Sequence, residues 1–118
     1  MKHQLLNVSN ETLAEYGAVS EQTVREMLQG ALTVSGSDLG ISVSGIAGPS
    51  GGTDDKPVGT VWIAWGNREN INTVECLVPG SRWYFQQAVS AICLDLIRRF
   101  ILNINETPRY LIDRAVKK

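Results

Sequence analysis

The amino-acid sequence predicts an α/β domain in which helices pack against a small sheet. Two long segments repeat apolar side chains every three to four residues, which is typical of helices that bury one face. Three shorter segments are rich in β-branched, aromatic and other apolar residues, which is typical of strands. Because the 118 residues suit one domain, residues 1–118 are interpreted as a single domain.

The two long helices carry recognisable start and stop signals. Ser20 precedes an apolar stripe that predicts a helix over residues 21–34, and Gly36 supplies its stop. Ser81 follows a Pro-Gly break and can cap a long final helix. The ends of the chain predict less: a short helix over residues 10–16, and a tail over 104–118 that forms a short helix or a flexible extension.

The strands are predicted over residues 39–43, 58–65 and 71–78. The second is apolar almost throughout, so we expect a central strand covered on both faces. Residues 66–70 read as a turn, which predicts that the second and third strands form a hairpin.

Residues 44–59, which read SGIAGPSGGTDDKPVG, form a glycine-rich loop between the first two strands and hold five of the 11 glycines. Glycine lets a backbone approach a ligand closely, and consecutive N–H groups can form an anion site. The loop lacks the lysine of a P-loop, and it leads into a strand, unlike a dinucleotide fingerprint. Composition alone favours a turn-rich connection, and ligand contact is the alternative.

Composition excludes several classes of function. The net charge is −1 with no basic cluster, which argues against nucleic-acid or anionic-membrane binding. No apolar run approaches the length of a membrane span and no leader is visible, so a cytoplasmic location is expected. Cys76 and Cys93 match no metal spacing and are interpreted as free thiols, with a disulfide as the alternative. His3 is the only histidine, so we discount a Ser-His-Asp triad. We predict neither a metal nor a cofactor.

The loop and its flanks resemble the CinA C-terminal-domain family, whose named activity is nicotinamide mononucleotide deamidase. The resemblance rests on SGIAGPSGG at residues 44–52, KPVGTVWIA at 56–64 and NETLAEYGAVSEQTV at 10–24. It implies a three-layer α/β/α sandwich that is often dimeric. It also implies metal-independent hydrolysis of nicotinamide mononucleotide to nicotinate mononucleotide and ammonia.

The resemblance also implies site residues. In the family, a serine of an ESCTGG-like motif attacks the amide, and a lysine of an SNxxK-like motif helps to activate it. By register, Lys2 falls on that lysine, although most terminal lysines are simply exposed to solvent. Ser44 matches a small hydroxyl residue near the active site, which either bonds substrate or only ends the strand. Arg82 resembles an arginine that can pair with the substrate phosphate. The other expected substrate-binding residues lie in the loop: Gly45, Ala47, Gly48, Pro49, Gly51 and Gly52.

The chain departs from the family in its chemistry. No ESCTGG-like motif occurs in the 118 residues, and Ser81 stands where the family has an aspartate before the arginine. We therefore expect a domain that is truncated at its N-terminus, lacks the first strand and helices, and is inactive or impaired. The alternative is a non-catalytic truncated paralogue that binds a nucleotide or a partner subunit. Uncovered sheet surface predicts a homodimer or higher oligomer, and four aromatic residues are expected in the core or an interface: Trp62, Trp65, Trp83 and Tyr84.

Overall fold

A computed structural model describes residues 11, 14, 15, 17, 19–46, 58–104, 108, 110 and 111. Its elements in chain order are α1 (Glu21–Ser35), β1 (Gly40–Gly45), β2 (Thr60–Gly66), β3 (Ile71–Leu77) and α2 (Arg82–Ile101). The strands form one antiparallel sheet in the order β1-β2-β3. The predicted α/β class and the central position of the second predicted strand are confirmed. The neighbours Ile63 and Ala64 are both fully buried, so both faces of β2 are covered at its middle.

The chain divides into two compact units. Unit 1 comprises Met1–Ser44 and Trp62–Val74, and unit 2 comprises Gly45–Val61 and Glu75–Lys118. Most of the predicted helix at residues 10–16 lies outside the described residues, but Glu11, Ala14 and Glu15 are helical. In the tail, residues 110 and 111 are helical, and the rest beyond residue 104 is mostly outside the described part.

In unit 1, the apolar side chains on one face of α1 pack into a fully buried core. The Ser20 hydroxyl oxygen accepts a hydrogen bond from the backbone N–H of Thr23, with an N–O distance of 3.2 Å. Gly36 ends the helix with a left-handed φ of 69°. Both signals were predicted from the sequence, and both are confirmed. The core cluster is fully buried or nearly so and comprises Val24, Leu28, Leu32 and Ala64.

Polar contacts hold α1 to the strands of unit 1. The buried Ser42 hydroxyl donates to the Val24 carbonyl at 2.6 Å. Arg68, in the turn after β2, donates to the carbonyl of Leu32 at 2.7 Å. Ser42 lies on β1, three residues before its end at Gly45, so its bond helps to fix the position of that strand against α1.

In unit 2, Ser81 caps α2: its hydroxyl oxygen accepts a hydrogen bond from the backbone N–H of Tyr84, with an N–O distance of 3.1 Å. Its inward face buries Phe85, Val89, Ile92 and Leu96. Near its C-terminal end, the Asp95 carboxylate accepts hydrogen bonds from Arg98, Arg99 and the hydroxyl of Tyr110. The last of these bonds ties the residues after α2 back onto the helix.

Candidate active site

The stem of the glycine loop is a pair of backbone hydrogen bonds. Ile46 N–H donates to the Thr60 carbonyl at 2.8 Å, and Gly59 N–H donates to the Ile46 carbonyl at 2.6 Å. The two ends of the loop therefore leave the sheet side by side. Residues 47–57, which make up the rest of the predicted loop, lie outside the described residues.

Gly59 fixes the stem to the segment that leads into α2. Its φ is +98°, and a Cβ there would lie 2.7 Å from the Val78 carbonyl oxygen. The Val78 N–H donates to the Gly59 carbonyl at 2.8 Å. Only glycine combines this φ with so close a backbone approach. The stem is consequently held against Val78, just before the Ser81 cap of α2.

Gly45, at the end of β1, makes a second close approach. A Cβ at this position would lie 2.7 Å from Cζ of Phe85 and 3.1 Å from the Thr60 carbonyl oxygen. Phe85 is buried in the first turn of α2. The glycine at the start of the loop therefore lets the backbone pack directly on the beginning of that helix.

The N-terminus of α2 provides the positive end of this region. The first turn of the helix holds no acidic residue, so no carboxylate within the turn offsets the positive end of its dipole. Arg82 is the first helical residue and is exposed. None of the ion pairs formed among the described residues includes it. A helix N-terminus beside an arginine suits an anionic group such as a phosphate.

The structure describes three of the nine expected site residues. Ser44 is buried, with 6% of its surface exposed, and it immediately precedes Gly45 in β1. Gly45 and Arg82 belong to unit 2, where both adjoin the first turn of α2. The remaining six lie outside the described residues: Lys2, Ala47, Gly48, Pro49, Gly51 and Gly52.

The cysteines offer no replacement nucleophile. Neither forms a disulfide; Cys76 is buried and Cys93 is half-buried. Burial, together with the neighbouring Cys76, raises the pKa of Cys93 to about 11, so this thiol stays protonated and unreactive at neutral pH.

Within the described part of the chain, no group of three or more His, Cys, Asp or Glu side chains is placed to hold a metal ion. The helices described there are also too short or too polar to cross a membrane.

Sequence reasoning missed the residues that support the site. Thr60, Val78 and Phe85 position the loop stem, and they look like ordinary strand and helix residues in the sequence. Gly59 was visible only as one more loop glycine. Its signal was its place directly before β2, where a glycine is not needed to continue a strand.

Together, these features define an α/β domain with a glycine loop anchored at the N-terminus of a helix. The profile of the CinA C-terminal domain family matches residues 1–101. The chain belongs to this family, as the resemblance predicted.

Known proteins agree with this assignment. A CinA-like protein from Colwellia psychrerythraea is 52% identical over 115 residues, which cover 98% of this chain and 27% of the relative. A nicotinamide-nucleotide amidohydrolase PncC from Enterobacter agglomerans is 45% identical over 104 residues, covering 86% of this chain and 63% of the relative. The chain thus spans about a quarter of the first relative and under two thirds of the second.

Solved structures show the same fold. A CinA-superfamily protein from Klebsiella pneumoniae superposes with a TM-score of 0.75 at 42% identity, over 85% of this chain and 63% of that one. A competence/damage-inducible protein from Agrobacterium tumefaciens superposes with a TM-score of 0.77 at 36% identity, over 89% of this chain and 62% of that one.

Proposed function

We propose that the chain forms the nucleotide-binding part of a nicotinamide-nucleotide amidohydrolase. The reaction is the hydrolysis of nicotinamide mononucleotide. The serine oxygen adds to the carboxamide carbon, the C–N bond breaks and ammonia leaves, and water then hydrolyses the acyl-serine ester to nicotinate mononucleotide and the free serine. The observation that carries the proposal is the 45% identity to a protein of that name over 86% of this chain. The positive helix N-terminus beside the loop stem supports it.

The proposed roles follow from the chemistry that each group can perform. Arg82 and the first N–H groups of α2 bind the substrate phosphate. Backbone N–H groups of the loop beyond its stem, such as those of Gly48, Gly51 and Gly52, stabilise the oxyanion of the tetrahedral intermediate, and Gly45, Ala47 and Pro49 shape the backbone around it. Ser44 donates a hydrogen bond to the substrate. Lys2 helps to deprotonate the attacking serine, because a desolvated lysine can act as a base near neutral pH.

The attacking serine is the part that these 118 residues do not supply. Their sequence contains no ESCTGG-like segment, and the described cysteines are unsuited to replace it. We therefore propose that this chain alone binds the nucleotide but is inactive or impaired in hydrolysis. The second candidate, a non-catalytic protein that binds a nucleotide or a partner subunit, rests on the same absence. A cytoplasmic location and self-association are part of the proposal.

The proposal is tested by ammonia release from nicotinamide mononucleotide. The chain is assayed alone and with a family-type front segment that carries the ESCTGG-like motif. We expect activity only in the extended protein. Activity of the short chain alone would contradict the assignment of the nucleophile. Binding of the nucleotide by both proteins without ammonia release would favour the second candidate, and absence of binding by either would overturn the nucleotide proposal.

The phosphate role of Arg82 has a sharper test in the extended protein. Arg82→Ala should raise the KM for nicotinamide mononucleotide about 10-fold, because a charge-assisted hydrogen bond is lost. It should leave the KM for nicotinamide riboside, which has no phosphate, unchanged. Arg25→Ala, which removes a half-exposed arginine of unit 1, is the control. An equal effect on both substrates would refute the phosphate role.

A further inference from the structure

Helix α2 is apolar on two opposite sides. One side packs inward, as described above. On the other side, Trp83, Leu94 and Ile101 are 69%, 74% and 58% exposed. At 3.6 residues per turn these three side chains fall within about 20° of one another around the helix. Large apolar side chains that lie exposed together on the side of a helix away from the core mark an interaction surface. The outer face of α2 comprises six apolar or aromatic side chains, Trp83, Tyr84, Ala91, Leu94, Ile101 and Leu102, and the exposed polar side chains of Gln87 and Arg98 lie between them.

A groove continues this outer face. It lies between the N-terminal half of α2 and Tyr110, and its volume is about 510 Å³. Its lining is mostly apolar and comprises Trp83, Tyr84, Gln87, Ala88, Ala91, Ile92 and Tyr110. Bulky exposed side chains lie at the C-terminal end of the helix, where Ile101 and Leu102 are each 58% exposed. The surface therefore has a hollow at one end of α2 and protruding side chains at the other.

We propose that a second copy of this chain covers the outer face, with the two α2 helices packed antiparallel about a two-fold axis that crosses this face midway between Ala91 and Leu94. A hollow at one end and a protrusion at the other make the face self-complementary under such an axis, as an isologous interface requires. In this register, Trp83 and Tyr84 of one copy face Leu102 and Ile101 of the other.

The residues between the two ends fit the same register. Ala91 of one copy faces Leu94 of the other, so a small residue meets a large one and the helices can approach closely. Gln87 faces Arg98, and Ser90 faces Asp95. No like charges stand directly opposite each other on this face, which favours pairing with a second copy.

The exposed apolar area is sufficient for a reversible dimer. The five large side chains of the outer face expose roughly 600 Å² in each copy, which approaches the ~800 Å² per partner of a standard interface. This inference names the surface for the self-association proposed above. It is independent of the amidohydrolase proposal, because its test measures mass and not activity.

The test is sedimentation equilibrium of the whole chain at micromolar concentrations. Leu94→Glu places two charges in the proposed interface and should weaken dimerisation about 30-fold or more. Val34→Glu changes an apolar residue that is 71% exposed in unit 1, and it should leave the dimer intact. Circular dichroism checks that both variants fold, as their exposure predicts.

The outcomes of this test distinguish the claim that the chain associates from the claim that it associates through the outer face of α2. A monomeric wild-type chain would overturn both the surface and the proposed self-association. A wild-type dimer that Leu94→Glu leaves intact would overturn the surface alone, since association would then use another part of the chain. For the register, Leu94→Glu chains are mixed with Ala91→Lys chains. A heterodimer tighter than either homodimer supports the antiparallel pairing, and no gain on mixing refutes it.

Discussion

The two long helices differ in how much of their apolar surface they bury. Helix α1 buries Val24, Leu28 and Leu32, and among its residues Val34 is the one large apolar side chain that is mostly exposed. Helix α2 also buries one apolar face, but it exposes Trp83 and Leu94 on the other. The first helix is therefore complete within its own unit. The second has an apolar surface left over.

The two helices also differ in the polar groups around them. The position of α1 is fixed by polar bonds to neighbouring segments, such as that from Ser42 to the Val24 carbonyl, which suits a structural role. The start of α2 instead combines a close approach to Gly45, a first turn without acidic residues and an exposed arginine. Unit 2 thus holds the groups proposed to bind the substrate phosphate and the outer face proposed to meet a second copy.

The largest expected effect comes from truncating one leucine on each helix. Leu28→Ala in α1 should lower the free energy of unfolding by about 3 kcal/mol, because it leaves a cavity in a sealed core. Leu94→Ala in α2 should change it by less than ~0.5 kcal/mol in the monomer, since that side chain is already in water. Urea unfolding of both variants, at concentrations below dimer formation, measures the difference. Similar costs at the two positions would break the contrast between the helices.

A medium effect is expected for the two ends of β1. Gly45→Ala forces a Cβ to 2.7 Å from the Phe85 ring and 3.1 Å from a backbone oxygen. We expect a loss of about 2 kcal/mol from overpacking, and weaker binding of nicotinamide mononucleotide because the loop stem shifts. The matched control is Gly40→Ala, whose Cβ meets only the leucine methyl groups of α1, at 3.2 and 3.4 Å; it should cost less than ~1 kcal/mol.

These two variants are compared by urea unfolding and by calorimetric titration with the nucleotide. If Gly40→Ala is as damaging as Gly45→Ala, then β1 tolerates no side chain at either end. The special approach at the start of the loop would in that case be refuted.

The local features of the fold could be predicted from the sequence, and the long-range ones could not. The caps at Ser20 and Ser81 depend on neighbouring residues, so their signals are complete within a few positions. Strand bounds moved by one or two residues because pairing partners set them. The contact between Gly45 and Phe85 joins segments far apart in the chain and left no local signal. In the proposed site, Gly45 and Arg82 were identified through the family resemblance and not through physical reasoning. The periodicity of α2 predicted its buried face, but the exposure of Leu94 depends on what else packs nearby.

The smallest expected effects concern one carboxylate in each unit. In unit 2, the hydrogen bond from Tyr110, with help from Arg98 and Arg99, lowers the pKa of Asp95 from 3.8 to about 2. In unit 1, the hydroxyl of Thr73 donates to Glu21 at 2.7 Å and lowers the pKa of that more exposed carboxylate. Tyr110→Phe should cost about 1 kcal/mol at neutral pH. Thr73→Val should cost less than ~0.5 kcal/mol, because solvent already screens Glu21.

The pH dependence follows from the direction of the Asp95 shift. A carboxylate whose pKa is lower in the folded state stabilises the protein above its unfolded pKa, and this contribution is lost as the pH falls through the folded value. The gap between wild type and Tyr110→Phe should therefore be constant from neutral pH down to about 4 and should shrink between about pH 4 and pH 2. Thermal unfolding across this range measures it. A gap that stays constant through the window would mean that the Tyr110 hydroxyl contributes equally whether Asp95 is ionised or protonated, and that its bond is not what lowers the pKa of Asp95.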